Sequence, residues 1–89
     1  QKQYIPVIVD FFQDKRVKNI VCGHGHVYVV TYAGIVYVCG QLGLGDDLDI
    51  KKFRQIDFFK DRHVQKIVTG MFNTFAICDN DTVYSWGSN

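Results

Sequence analysis

Asp10-Phe11-Phe12-Gln13-Asp14-Lys15-Arg16-Val17 and Asp57-Phe58-Phe59-Lys60-Asp61-Arg62-His63-Val64 are two versions of one segment, 47 residues apart. The same offset carries Ile20-Val21 onto Ile67-Val68 and Gly23 onto Gly70. It also carries Val36-Tyr37 onto Val83-Tyr84 and Gly40 onto Gly87. Across Val9–Gly40 the two copies share 11 identities in 32 positions, with no gap. Conservative pairs add to these, among them Val9 with Ile56, Lys15 with Arg62 and Tyr28 with Phe75. A motif returning at a fixed spacing of this size marks a repeat architecture. Each unit of such a fold buries its apolar face on its neighbour.

Each unit has the chemistry of short strands. Val17, Ile20 and Val21 form a short apolar run ending at Gly23. His26–Thr31 and Ile35–Cys39 are rich in β-branched and aromatic residues, and Gly34 between them suits a tight turn. The second unit repeats this in Val64–Thr69, Asn73–Cys78 and Thr82–Trp86. There Asn80-Asp81 replaces the turn glycine, and both residues tolerate turn conformations. A short extended segment precedes each set, Pro6–Val9 and Phe53–Ile56. Nothing has a sustained helical period, and Asp47–Arg54 has too few apolar residues at helical spacing. The reading is all-β, a β-propeller fragment of two four-stranded antiparallel blades. The first repeat with its crossover covers 1–46, and the second covers 47–89.

Composition narrows the classes further. The 89 residues are 47% hydrophobic and 15% aromatic, which excludes a disordered chain. The formal net charge is +1, so bulk charge gives this segment no nucleic-acid affinity. No apolar run approaches the roughly 20 residues of a membrane-spanning helix. The three cysteines, Cys22, Cys39 and Cys78, are odd in number and lack C-x-x-C spacing. They read as buried free thiols of an intracellular protein, nuclear or cytoplasmic, and not as a disulfide or zinc framework.

Three further stretches are more specific. Gly40–Asp46 reads GQLGLGD, Thr82–Asn89 reads TVYSWGSN and Ile20–His26 reads IVCGHGH. Together they resemble the repeats of the regulator of chromosome condensation family, and the resemblance runs from Pro6 to Asn89. It implies a seven-bladed propeller with repeats of about 50 residues. It marks Gly23, His26, Gly40, Gly43, Gly45, Asp46, Gly70, Trp86 and Gly87 as the structural repeat motif. In that reading Gly40, Gly43 and Gly45 lie at the crossover between blades, and Trp86 packs between neighbouring blades. His26 is a packed, hydrogen-bonding residue. The chain departs from the family pattern at Cys39, where a Trp is usual, and at Asn73, where a His is. The stretch between Cys39 and Gln41 is about five residues short of the pattern. A true deletion and missing residues both account for this. Two blades leave open strand edges, so the remaining blades are expected in further sequence or in another chain.

No chemistry-bearing constellation stands out. His24 and His26 share a face of a strand but lack further ligands, so no metal site is expected. Gly40–Asp46 lacks the lysine and helix start of a phosphate loop, and no cofactor is expected. Asp46, Asp47 and Asp49 read as a solvated loop, because the chain has no Glu to complete a calcium loop. The cysteines have no activating arrangement. One Phe of each Asp-Phe-Phe is expected to pack into its blade and the other to be partly exposed. Antiparallel alternation then sorts the loops onto two faces. One face carries Asp14, Lys15, Arg16, Lys60, Asp61, Arg62 and His63, whose mixed charge suits protein recognition. The expected function is a non-enzymatic protein-interaction scaffold. The alternative implied by the resemblance is a guanine-nucleotide exchange factor for a Ran-like small GTPase, acting at chromatin.

Overall fold

The computed structural model describes residues 5–23, 25–40 and 52–87. Seven strands follow in chain order: β1 Val17–Cys22, β2 His26–Thr31, β3 Val36–Gly40, β4 Arg54–Gln55, β5 Val64–Thr69, β6 Asn73–Cys78 and β7 Val83–Gly87. They form two antiparallel sheets, β1-β2-β3-β4 and β5-β6-β7. Single turns of 3-10 helix occupy Asp10–Phe12 and Asp57–Phe59, and Asp79–Asp81 is a tight turn in which Asn80 and Asp81 take positive φ. Among the described residues no helix is long and apolar enough to cross a membrane.

The sequence repeat is also a repeat of register. Ile20, Val29 and Tyr37 lie side by side across β1, β2 and β3. Their counterparts Ile67, Ala76 and Tyr84 do the same across β5, β6 and β7. Each first strand has a bulge at its second residue, Lys18 and Gln65. The two bulged residues meet, with Lys18 Nζ donating to Gln65 Oε1 at 3.1 Å.

The core lies between the two sheets. The first sheet contributes Tyr28, Val30 and Val36, with Val21 and Val38 partly buried beside them. The second contributes Phe59, Val64, Ile67, Ala76 and Cys78, with Tyr84 and Trp86 at the margin. Period-two alternation puts these residues on the facing sides of the two blades. Trp86 meets Tyr28 edge-on at 6.0 Å and Phe59 at 5.4 Å. Hydrogen bonds between the blades add to this: Val64 N–H donates to the Gly34 carbonyl at 2.9 Å. Thr69 Oγ1 donates to the Cys22 carbonyl at 3.0 Å.

The structure corrects the expected strand membership. Phe53–Ile56 is not the first strand of the second blade; its central residues, as β4, close the outer edge of the first sheet. The physical reason is edge satisfaction. Ile56 N–H donates to the Val36 carbonyl at 2.9 Å, and Phe53 packs on the rings of Phe11 and Phe12. Sequence repeat and blade are therefore out of phase, and the second sheet has three strands among the described residues. Pro6–Val9, the counterpart of Phe53–Ile56, belongs to no strand. Cys22 is a second correction. It is exposed, whereas Cys39 and Cys78 are buried. Cys22 follows Lys18 and Ile20 on the exposed positions of β1.

Candidate interaction surface

The loops at one end of the blades hold their charged residues by a device that occurs in both repeats. The Asp-Phe-Phe segments turn through 3-10 geometry, with Phe12 N–H donating to Val9 and Phe59 N–H to Ile56. This brings a cation four residues later back over the first Phe. Lys15 Nζ sits 4.4 Å from the Phe11 ring centre and donates to the Phe11 carbonyl at 3.1 Å. Arg62, 47 residues on, sits 4.1 Å from the Phe58 ring centre and donates to the Phe58 carbonyl. Each cation also lies 5.7 Å from a tyrosine ring of its own sheet, Tyr37 and Tyr84 respectively. Cation–π attraction and the carbonyl bond together fix where these charges point.

Neighbouring groups extend the arrangement. Asp14 pairs with Lys15 at 3.0 Å, and that hydrogen bond and charge hold its carboxyl below the usual carboxylate range. Arg16 covers the exposed Tyr32 ring at 4.8 Å, and Tyr32 N–H donates to the Arg16 carbonyl at 2.9 Å. Arg62 Nε donates to the Tyr84 hydroxyl at 3.2 Å. His63 Nδ1 lies 3.3 Å from Asp79 Oδ2, and Gln65 Nε2 donates to the other Asp79 oxygen. Asp61, Arg62, His63, Asp79 and Asn80 line an open cleft floored by Cys78 and Tyr84. Burial raises the Cys78 thiol above its ordinary value, ahead of smaller effects from Arg62 and Asp79. It is a packing residue and not an activated nucleophile.

His63 joins the blades. It adopts a positive φ of 40°. Its ring lies against Gly34, where an added side-chain carbon would stand 2.6 Å from the imidazole. The Gly34 loop of one blade and the Lys60–His63 loop of the next therefore lie on one surface. Of the seven loop residues singled out in the sequence, Lys60 and Asp61 are exposed, and the other five engage as described. Tyr32, Tyr84, Asp79 and Gln65 were not among the residues singled out. The repeated Tyr37/Tyr84 pair is the sequence signal that points to the aromatic part.

The opposite end carries the glycine motif. The His26 ring lies over Gly40, which is its cross-strand partner. It stacks near Tyr28 at 6.1 Å between ring centres and remains exposed. A side-chain carbon at Gly23 would press on Thr69 of the next blade at 3.2 Å. Gly70 and Gly87 flank Met71, Phe72 and Asn73, and Gly87 takes φ 135° beside the Phe72 backbone. Of the two Phe pairs, Phe59 is buried and Phe58 exposed, while Phe11 and Phe12 are both half-buried. His24, Gly43, Gly45, Asp46, Asp47 and Asp49 lie outside the described residues. Among the described residues no three metal-ligating side chains come together.

Comparison with known proteins gives a consistent family. No family model matches the chain. It is 32% identical over 90 residues to the X-linked retinitis pigmentosa GTPase regulator of Mus musculus, and equally so to those of Canis lupus familiaris and Homo sapiens. Each match covers 94% of this chain but spans only 9% of the relative's length. The crystal structure of human WBSCR16 superposes with a TM-score of 0.64 at 26% identity, over 83% of this chain and 20% of that one. With the 47-residue repeat of sequence and register, these likenesses place the chain in the regulator of chromosome condensation family, as two consecutive propeller repeats.

Proposed function

We propose that the chain contributes two blades to a protein-interaction scaffold, and that the loops Asp14–Arg16 and Lys60–His63 are its docking surface. The observation carrying this reading is the repeated latch, Lys15 on Phe11 and Arg62 on Phe58. It presents a cation at the same place on each blade, with less side-chain entropy to lose on binding. Exposed Tyr32 and Phe58 beside Arg16 and Arg62 supply the aromatic and guanidinium groups that protein interfaces favour. The test is quantitative capture of binding proteins by the full-length protein, comparing Arg16→Glu and Lys60→Glu with Met71→Glu on the opposite face. The reading expects the loop variants to lose about tenfold or more in affinity and Met71→Glu to bind as the parent. The reverse pattern would move the surface to the other face.

A second reading is favoured by the relatives' own name, GTPase regulator. Here the partner is a small GTPase of Ran-like type, and the parent protein accelerates nucleotide release. Exchange needs only tighter binding of the nucleotide-free GTPase, with no bond made in a substrate. Release from a fluorescently loaded GTPase, with and without catalytic amounts of the full-length protein, separates this from simple docking.

A further inference from the structure

The last residue of each docking loop is held by the residue that opens the hairpin turn of its own blade. Tyr32 follows β2 and Asp79 follows β6, 47 residues apart, as are Arg16 and His63. The backbone bond is the same in both blades. Tyr32 N–H donates to the Arg16 carbonyl at 2.9 Å, and Asp79 N–H donates to the His63 carbonyl at 3.2 Å. The side chains then close the same gap by different chemistry. Arg16 lies 4.8 Å from the centre of the Tyr32 ring, and His63 Nδ1 lies 3.3 Å from Asp79 Oδ2. A contact that returns at the same two positions with both residues exchanged belongs to the repeat. It is not a chance meeting of surface side chains.

The second pair has more to hold. His63 takes φ 40°, a region that a residue with a side chain occupies only where its surroundings fix it. Arg16 is under no such strain. Asp79 meets the need with both carboxylate oxygens. One faces the His63 ring, and the other accepts from Gln65 Nε2. Gln65 Oε1 in turn accepts from Lys18 Nζ on β1 of the first blade, at 3.1 Å. The Gln65 amide fits only this way round. A flip would set acceptor against acceptor at Asp79 and donor against donor at Lys18. One path from Asp79 therefore reaches the first blade at Lys18, and the other reaches it through the His63 ring on Gly34. All of these contacts lie inside one blade or on the seam between the two.

We propose that Tyr32 and Asp79 are the positioning residues of the docking surface, each fixing the cation-bearing loop of its own blade. They act through Arg16 and His63, and so set where Lys15 and Arg62 stand before a partner arrives. The two clips work independently, so one loop can be released while the other stays in place. The use of the clips rests on the loop-face function proposed above. The hold itself rests on the geometry alone and is measured without a partner, so its failure is distinct from a failure of docking.

Trypsin tests the hold directly. It cuts after Arg16 and after Arg62, and each cut needs the local backbone to open. The two cuts are timed side by side on the full-length protein by peptide mapping. Asp79→Ala is expected to speed the cut after Arg62 by about three- to tenfold and to leave the cut after Arg16 at the parent rate. Tyr32→Ala is expected to do the reverse. Tyr32→Phe keeps the ring under Arg16 and should be cut as the parent is. Asp79→Asn offers one acceptor oxygen where Asp79 offers two, and should open the same loop in a side chain of unchanged shape. It carries the test if the alanine variant does not fold. A variant that merely weakens the fold speeds both cuts together, and that outcome overturns the proposal. So does an unchanged cut at the variant's own loop, or a Tyr32→Phe chain cut as fast as Tyr32→Ala.

Discussion

Gly34 and Asp81 occupy the same place in two hairpins and show how one position is solved in two ways. Both lie in the left-handed region, at φ 82° and 61°. Gly34 has a second constraint, the His63 ring against its α-carbon. Gly34→Ala is therefore expected to destabilise the fold by about 1–3 kcal/mol, read as a lower urea midpoint. Asp81→Gly relieves strain at an exposed position, and is expected to stabilise by about 0.5–1 kcal/mol in the same measurement. The cysteines separate by exposure in the same way. Cys22 should alkylate first in the folded chain, and Cys39 and Cys78 only on unfolding, as counted by intact mass. For Cys78 the sign follows from burial. A thiol raised in the folded state contributes stability that is present below its ordinary value and is lost as pH rises through the raised one. Labelling of Cys78 should therefore lag behind Cys22 well into alkaline solution.

At the scale of strands and turns, much was legible. His26–Thr31, Val64–Thr69 and Asn73–Cys78 form strands within the bounds that their β-branched and aromatic content marked. The Asn80-Asp81 turn is where the missing glycine placed it. Periodicity cannot tell which sheet a strand joins, and that is where Phe53–Ile56 departed from expectation. A two-residue strand is defined by the edge that it satisfies, and Val36 offers that edge 20 residues before Ile56. The Asp-Phe-Phe turns were likewise read as connections, because three residues carry no helical period. Their role in packing is clear from Phe59, 3% exposed and in contact with the Tyr84 and Trp86 rings. Phe59→Ala is expected to cost about 3–5 kcal/mol, measured by chemical unfolding. Phe58→Ala, at a half-exposed site, should cost far less.

At the scale of the whole molecule, the repeat is one surface copied from blade to blade. Val21, Tyr28, Val30 and Val36 of the first blade cover the second. Val68, Phe75, Ile77 and Val83 carry the same pattern outward. Stability in such an array is a sum of unit and neighbour contributions, so the contact between the blades is what the fold depends on. The loop surface was legible as a set of charged residues, because antiparallel alternation alone sorts loops to two ends. Its geometry was not. The latch of Lys15 and Arg62 depends on the 3-10 turns and on tyrosines about 22 residues away in sequence.

The most direct test of the two-blade account is residue-resolved amide hydrogen exchange of the 89-residue chain in dilute solution. Strong protection is expected at Ile56 and Val64, whose amides bond to Val36 and Gly34 of the first sheet and its hairpin. Ser85, on the outward edge of β7, should exchange fast. An unprotected Ile56 or Val64 beside a protected β5–β6 pair would contradict the account, because the blades would then be separate hairpins and not consecutive members of one propeller.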